Sequence, residues 1–238
     1  IYENWEILLI DDASTDAATL RALKDLAERD PRIRVLHLPE NGGISRASNA
    51  GIAAARGEWV GLLDHDDVLE PDALYHTPKT LVKHPEADLI YSDEDKLTEA
   101  GLEAPMFKPD WSPDFFLSYN YLCHFTTIRM SLLRELGGFR PEYDFAQDYD
   151  LFLRIIEKTD RIYHVPRILY HWRRSASSTS DNIRRKPKAL DAGKKAIAQH
   201  LQRLGEAGHV TVDWPTHAYW VKREISTRRK VSIIIPAR

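Results

Sequence analysis

The chain has 238 residues, of which 43% are hydrophobic and 10% aromatic, so it can bury the core of one domain. Its net charge of −3 comes from mixed signs, and no basic field favours nucleic acid as a partner. The single cysteine, Cys123, excludes an intrachain disulfide framework and suits a reducing compartment, and no apolar run approaches the roughly 20 residues that a membrane helix needs.

The N-terminal part of the sequence predicts a strand followed by a helix. The apolar run Glu6–Ile10 predicts a short strand that ends in two acids, Asp11 and Asp12. Residues 14–16 then supply natural N-caps for an amphipathic helix that continues to Arg29. A strand therefore delivers a pair of carboxylates into a turn at the start of a helix.

A second unit of the same kind follows. Residues 34–38 predict a strand and Asn41–Gly43 a turn, and Ser45 is expected to cap an alanine-rich helix over residues 46–56. Strands that alternate with helices through short links are typical of a parallel sheet covered on both faces.

The most informative acids follow the third predicted strand. The apolar run Trp59–Leu63 leads into Asp64, Asp66 and Asp67, and Pro71 suits the first turn of the next helix. Three carboxylates within four residues repel one another unless a cation holds them, and oxygen ligands suit Mg²⁺ or Mn²⁺. A solvated acidic turn is the alternative. The second acidic strand end upstream favours a ligand site, because ligands bind at the carboxyl ends of strands in open parallel sheets.

Five motifs in a fixed order carry a resemblance to a known family. They are residues 6–16 (EILLIDDASTD), 41–51 (NGGISRASNAG), 57–67 (GEWVGLLDHDD), 137–140 (GGFR) and 147–154 (QDYDLFLR). From about residue 6 to about residue 180, the chain resembles glycosyltransferase family 2. The resemblance implies an α/β chain of the GT-A fold, with a Rossmann-like, mostly parallel central sheet and helices on both faces. It also implies an inverting enzyme that uses a nucleotide sugar. No Gly-x-Gly-x-x-Gly turn follows a strand, which disfavours a dinucleotide-binding domain.

The resemblance also assigns roles to the acids. It implies that Asp12 accepts a hydrogen bond from the nucleotide base, whereas Asp11 is structural. It places Asp64, Asp66 and Asp67 on a divalent ion (Mn²⁺ or Mg²⁺) and on the ribose, with Asp66 favoured as a metal ligand. The ion would neutralise charge on the diphosphate as the sugar–phosphate bond breaks.

Asp148 is the predicted catalytic base. The resemblance places it in an acid-then-helix motif, in which Gln147 stands where Glu is common. Apolar residues at positions 151, 152, 155 and 156 predict the helix, so Asp148 lies in its first turn. There the helix dipole favours the carboxylate form that a base needs. Ordinary N-terminal capping is the alternative, and Asp150 is expected to do only that.

A glycine-rich loop resembles the acceptor side of the family's site. Gly138 would allow close backbone approach, and Phe139 would offer an apolar face to a sugar ring. A helix C-cap explains the first glycine of the loop, Gly137, equally well. Trp111, in a proline-rich loop, would stack on a sugar or plug the core.

Two further segments are candidates for the donor side. Asp93 and Asp95, after a strand predicted at residues 88–91, would line the donor-sugar pocket or form a solvated charge cluster. Residues 168–180 resemble the segment that closes over the donor diphosphate. In it, His171 is a candidate metal ligand or a packed core histidine, and Arg173 or Arg174 is a candidate phosphate contact.

The predicted organisation has three parts. Residues 1–205 form the GT-A domain without the strand and helix with which family members usually begin, and residues 206–230 form a linker or small β extension. Residues 231–238 resemble the opening strand of a second glycosyltransferase domain. Residues 231–235 are expected to fill the vacant first-strand position beside residues 6–10, in the same chain or in a neighbouring one, because sheet edges carry unpaired backbone groups. A loose tail is the alternative.

These features predict a metal-dependent transferase that moves a sugar from a nucleoside diphosphate sugar to a saccharide or lipid-linked saccharide. By analogy with similar tandem bacterial proteins, it would act in O-antigen or capsule synthesis, in the cytoplasm at the inner face of the plasma membrane. A second glycosyltransferase domain would be its partner in the full-length chain. The alternative is a catalytically silent nucleotide- or carbohydrate-binding half of a tandem protein.

Overall fold

The computed structural model describes residues 2–174, 186–225, 227 and 230–236. In these residues strands and helices alternate along much of the chain. In chain order they are β1 (Ile7–Asp11), α1 (Ala17–Arg29), β2 (Ile33–His37), α2 (Ile44–Ala54), β3 (Trp59–Gly61), β4 (Val68–Leu69), α3 (Ala73–Lys83), β5 (Leu89–Thr98), β6 (Gly101–Met106), α4 (Pro113–Ser118), β7 (Thr126–Arg129), α5 (Met130–Glu135), α6 (Gln147–Ile156), β8 (Ile162–Arg173), α7 (Lys186–Arg203), β9 (Gly208–Asp213) and β10 (Ala218–Arg223).

The central sheet is mixed. Its strand order is β3-β7-β5-β8-β4, with β6 paired to β5, while β1 and β2 form a separate parallel pair and β9 and β10 an antiparallel hairpin. Both β3 and β5 pair antiparallel with β7, and β5 pairs parallel with β8. Strands β3, β5 and β8 therefore run in the same direction. The α/β class is confirmed, and the antiparallel β7 inserted between β3 and β5 makes the sheet mixed.

The two faces of β5 bury different clusters. Leu89 and Tyr91 belong to the larger core, to which β7, helices α4 to α7 and the β9–β10 hairpin contribute, whereas Ile90 belongs to a smaller cluster. Side chains alternate across a strand, so this division follows from the two-residue period. Helix α6 buries Tyr149–Ile155 in and beside the larger core. This packing fixes the position of the first turn of α6.

The predicted caps are correct at one helix and wrong at another. The side chain of Asp16 accepts a hydrogen bond from the Thr19 backbone N–H at 2.8 Å, as an N-cap of α1 should. Ser45 is not a cap, because α2 begins at Ile44 and the buried Ser45 hydroxyl donates to Asp144. Ser45 thus connects α2 to the loop that precedes α6.

The C-terminal segment contradicts one structural expectation. Among the described residues β1 pairs only with β2, and residues 230–236 form no strand. Residues 231–235 therefore do not pair with β1 of their own chain, and the hypothesis that they fill this position in a neighbouring chain stays a prediction. None of the described helices combines the length and hydrophobicity that crossing a bilayer requires.

Two adjacent glycines end α5 and bring its last turn against α2. Gly137 and Gly138 have φ values of 75° and 73°, and their N–H groups donate to the carbonyls of Arg134 and Leu133 at 3.1 Å. The Asn49 amide binds both the N–H and the C=O of Phe139 at 2.8 Å. A Cβ on Gly138 would lie 2.3 Å from Asn49 Oδ1, whereas a Cβ on Gly137 would meet nothing within 4 Å.

These two glycines predict unequal costs of substitution. We expect Gly137→Ala to lower the free energy of unfolding by about 1 kcal/mol, the cost of a left-handed backbone. We expect Gly138→Ala to lower it by about 2–3 kcal/mol, because it adds a clash with Asn49 to the same backbone cost. Urea denaturation of both variants tests this. Equal losses of unfolding free energy would show that the contact with Asn49 adds nothing to the cost at Gly138.

Candidate active site

The acidic turn between β3 and β4 is tied to strand β8. The Tyr170 hydroxyl donates to the Asp67 carboxylate, whose other oxygen accepts the Arg173 backbone N–H at 2.7 Å. The Arg173 guanidinium donates to the Asp66 carbonyl at 2.7 Å. The Asp67 carboxylate therefore holds the turn against β8, whereas the carboxylates of Asp64 and Asp66 have no such pair of hydrogen bonds.

The charges of this turn are poorly compensated. Burial raises the pKa of the Asp64 carboxyl, His124 opposes the rise, and the negative charges of Asp67, Asp148 and Asp66 add to it. Burial likewise raises the pKa of Asp67, although its hydrogen bonds to Tyr170 and Arg173 oppose that rise. Such a cluster gains stability from a bound cation.

The donor set fits a hard divalent cation held partly by its substrate. Among the described residues, no group of three or more His, Cys, Asp or Glu side chains is arranged around one metal position. The turn can therefore supply one or two carboxylates, from Asp64 and Asp66. Mg²⁺ sites of this kind take one or two carboxylates and complete the coordination shell with water and substrate phosphates.

The two acids at the end of β1, Asp11 and Asp12, lie in different environments. Asp11 is buried and accepts the Ser14 N–H at 2.9 Å and binds His37 Nδ1 at 2.7 Å. Asp12 accepts the backbone N–H groups of Gly42 and Gly43 at 2.8 and 2.9 Å. The turn before α2 therefore folds onto Asp12, and the expected structural role of Asp11 agrees with its burial.

Asp11 predicts a specific acid dependence of stability. Hydrogen bonds from Ser14 and His37 lower its pKa to about 2. A lowered pKa in the folded state stabilises the protein above the unfolded value of about 4. That contribution is lost as the pH falls through the folded value. We expect the free energy of unfolding of Asp11→Asn to fall less steeply between about pH 4 and pH 2 than that of the unsubstituted chain. Urea titrations across this range test it, and equal slopes would contradict it.

The two acids of α6 have opposite roles. Asp148 lies in the first turn of the helix and accepts a hydrogen bond from Asn120 Nδ2 at 3.0 Å. Asp150 is fully buried, and Arg140 and Arg154 donate to it. The expected capping role of Asp150 is wrong, because its carboxylate forms ion pairs with the two guanidinium groups instead. Asp148 is the acid of this pair that is open to other partners.

His124 joins the two halves of the site, and sequence analysis missed it. Its Nε2 lies 4.0 Å from Asp64, its backbone N–H donates to the buried Glu94, and its ring stacks on Tyr170 at a centroid distance of 4.9 Å. Burial opposes the charged form, but the carboxylates of Glu94, Asp64 and Asp148 raise the pKa of His124. The sequence signal was weak, a lone histidine before the short segment Phe125–Ile128 of mixed polarity.

The candidates on β5 are buried within the sheet. Asp93 accepts the Lys108 N–H and binds His164 Nε2, both at 2.8 Å, and Asp95 binds His171 Nδ1 at 2.6 Å. Strand β5 continues through these acids and buries them, so the solvated-cluster expectation is wrong, whereas their role in a donor-sugar pocket stays a prediction. They pair with histidines of β8 instead.

His171 is engaged through both ring nitrogens. Its Nε2 lies 3.1 Å from Glu70, while Nδ1 binds Asp95. The alternative of a packed core histidine fits this environment, so we leave His171 out of the metal-ligand set. Arg174 follows the end of β8, and residues 175–180 of the expected diphosphate-closing segment lie outside the described residues.

The two aromatic candidates pack into the core. Phe139 is only 5% exposed within the larger cluster, so its predicted contact with a sugar is wrong. Trp111 packs against Phe116 at 5.5 Å, which fits the alternative of a core plug. Gly138 provides the expected close approach, but to Asn49 of α2.

The chain matches known proteins over its whole length. The model of the family described as "Glycosyl transferase family 2" matches residues 1–137, a range that contains the acidic turn and ends before Asp148. The chain is 42% identical over 237 residues to the O-antigen biosynthesis protein RfbC of Myxococcus xanthus, covering 99% of this chain and 18% of that protein. It is also 42% identical over 241 residues to the uncharacterised protein y4gI of Sinorhizobium fredii, covering 100% of this chain and 26% of that protein. The chain thus spans only 26% and 18% of the length of these two relatives.

A solved structure shares the fold. The mannosyltransferase PcManGT from Pyrobaculum calidifontis, in complex with GDP-Man and Mn²⁺, superposes with a TM-score of 0.61 and 21% identity. The match covers 83% of this chain and 55% of the mannosyltransferase. At this identity the likeness bears on the fold alone, and it confirms the expected GT-A architecture.

Proposed function

The chain belongs to glycosyl transferase family 2, and we propose on this premise that it transfers a sugar from a nucleoside diphosphate sugar to a saccharide hydroxyl with inversion. The observation that carries the proposal is the meeting of the acidic turn with Asp148. His124 contacts Asp64, and the charge of Asp148 contributes to the raised pKa values of both Asp64 and His124. This proximity supports one site formed by the donor-side turn and the candidate base.

On the donor side, Asp12 is assigned to the nucleotide base and the turn at residues 64–67 to the ribose and diphosphate. Asp66 and Asp64 would hold a divalent ion, Mn²⁺ or Mg²⁺, which would neutralise the charge on the leaving diphosphate. PcManGT, which shares the fold, was solved with GDP-Man and Mn²⁺. The anchoring of Asp67 by Tyr170 and Arg173 keeps these carboxylates at the end of β3.

On the acceptor side, Asp148 acts as the general base. Its carboxylate takes the proton of the acceptor hydroxyl while that oxygen forms a bond to the anomeric carbon. The bond from the anomeric carbon to the phosphate oxygen breaks, and the nucleoside diphosphate leaves with the bonding electron pair. One displacement from the opposite face inverts the anomeric centre. Asp148 lies in the first turn of α6 and accepts a hydrogen bond from Asn120, which orients its carboxylate.

The biological setting is proposed from the relatives. RfbC is named as an O-antigen biosynthesis protein, which supports a polysaccharide acceptor of the O-antigen or capsule kind, free or lipid-linked. Because the chain spans only part of such relatives, a second glycosyltransferase domain is proposed as its partner in a longer protein. The proposed location is the cytoplasmic face of the plasma membrane.

Nucleotide release from a panel of donors tests the proposal. The chain would be incubated with UDP-glucose, UDP-galactose, UDP-N-acetylglucosamine, GDP-mannose or dTDP-rhamnose and free saccharides, with Mn²⁺ present. We expect one donor to release its nucleoside diphosphate, and NMR of the product to show the inverted anomer. Nucleotide binding without release from any donor would favour the catalytically silent half instead.

A further inference from the structure

Unpartnered polar atoms cluster around Asp148. Among the described residues, four buried side-chain atoms have no hydrogen-bond partner: Asn120 Oδ1, His124 Nδ1, Tyr143 Oη and Gln147 Oε1. Asn120 is bonded to Asp148 at 3.0 Å, and Gln147 is the residue before Asp148 in α6. Buried polar atoms are nearly always paired in native proteins, so the unpaired amide oxygens of these two neighbours of Asp148 indicate a polar ligand site.

The chemistry of Asp148 fixes the orientation of Asn120. An ionised carboxylate can only accept hydrogen bonds, so the Asn120 atom 3.0 Å from it must be the amide nitrogen. The amide oxygen is then turned away from Asp148 and remains an acceptor without a partner. The hydrogen-bonded pair of Asn120 and Asp148 therefore carries two kinds of acceptor, the Asp148 carboxylate and the unpaired Asn120 Oδ1.

Acceptor oxygens select a ligand that carries several donors. A sugar ring offers adjacent hydroxyl groups, each able to donate one hydrogen bond. We propose that Asp148 and Asn120 bind two neighbouring hydroxyl groups of the acceptor sugar, Asp148 the attacking one and Asn120 the one beside it. This inference rests on the proposed function and adds to it the acceptor class, a saccharide with a vicinal diol at the attachment point. Asn120 then contributes to acceptor specificity through its own hydrogen bond to the sugar, and it also orients the base, Asp148.

Saturation-transfer NMR on the 238-residue chain with UDP, GDP or dTDP and Mn²⁺ tests the proposal. The probes are the methyl glycosides of glucose, galactose, mannose and rhamnose, together with their monodeoxy analogues. We expect at least one glycoside to bind, and removal of either of two adjacent hydroxyls to weaken its binding about tenfold or more, the loss of one buried hydrogen bond.

The decisive comparison is between the unsubstituted chain and Asn120→Ala. In Asn120→Ala we expect one of the two deoxy effects to disappear, while nucleotide affinity stays unchanged. A merely structural role of Asn120 would weaken all glycosides alike and leave both deoxy effects in place. Gln202→Ala, an exposed amide on α7, serves as the matched control and should retain both effects.

Two results would overturn the proposal. One is that Asn120→Ala discriminates among the deoxy glycosides as the unsubstituted chain does. The other is that the unsubstituted chain fails to show two adjacent deoxy effects, either because binding requires at most one hydroxyl or because no glycoside binds. This second result needs only the unsubstituted chain, so it tests the proposal even if Asn120→Ala does not fold. Failure of the proposed function would differ, since no donor would then release its nucleoside diphosphate, whether or not the nucleotide bound.

Discussion

Asp148→Asn is expected to lower kcat for sugar transfer by about 10²–10⁴-fold, the usual contribution of a positioned general base. The amide that replaces the carboxylate has nearly the same shape, and its oxygen can still accept the Asn120 hydrogen bond. It cannot take the proton of the acceptor hydroxyl. Because the base acts on the acceptor alone, we expect the affinity for the nucleoside diphosphate to remain within about twofold of the unsubstituted value.

Steady-state kinetics and calorimetric titration of the same preparations test this prediction. Asp114→Asn is the matched control, because this α4 carboxylate has a side chain that is 85% exposed. We expect Asp114→Asn to retain full activity. If Asp148→Asn lost donor affinity in proportion to its loss of rate, Asp148 would belong to the donor site and the assigned role would fail.

Asp66→Ala is expected to remove the metal dependence of nucleotide binding altogether. The Asp66 carboxylate is half exposed at the tip of the turn and carries no anchor of the kind that Tyr170 and Arg173 give Asp67. It can therefore reach a divalent ion that bridges to the phosphates. We expect the variant to bind nucleoside diphosphate in Mn²⁺ as weakly as the unsubstituted chain binds it in EDTA.

Titrations with Mn²⁺ and after EDTA measure this effect in both proteins. Asp25→Ala, an exposed acid on α1, is the control and should keep the full difference between the two conditions. A difference retained in Asp66→Ala would exclude Asp66 as a ligand. It would then assign that role to Asp64, whose pKa is raised by burial and by its acidic neighbours, against the opposing charge of His124.

The sequence predicted those features that depend on local signals. Apolar runs that end in acids located β1, which ends at Asp11, and β3, although β3 already ends at Gly61, three residues before Asp64. The helical period of residues 151–156 located α6, whose first turn contains Asp148. A short polar side chain before an amphipathic segment identified the Asp16 cap. Each of these rests on neighbours within about one helical turn or one strand, where geometry is set by the chain itself.

Features that depend on distant partners could not be predicted. The acids of β5 looked solvated in sequence, but β8 pairs with β5 and brings His164 and His171 against Asp93 and Asp95. Phe139 looked like a sugar contact until α5 and α6 enclosed it in the core. The antiparallel β7 and the position of His124 likewise follow from sheet pairing, which no local pattern encodes.

Calorimetric titration of the chain with UDP, GDP and dTDP, in Mn²⁺ and after EDTA, tests whether the acidic turn binds the donor diphosphate through a metal ion. We expect one nucleotide to bind in Mn²⁺, and EDTA to weaken or abolish this binding. That result would identify the nucleobase and establish a metal-dependent donor site. Equal binding in both conditions, or binding of none of the three, would contradict the assignment of the acidic turn to the donor diphosphate.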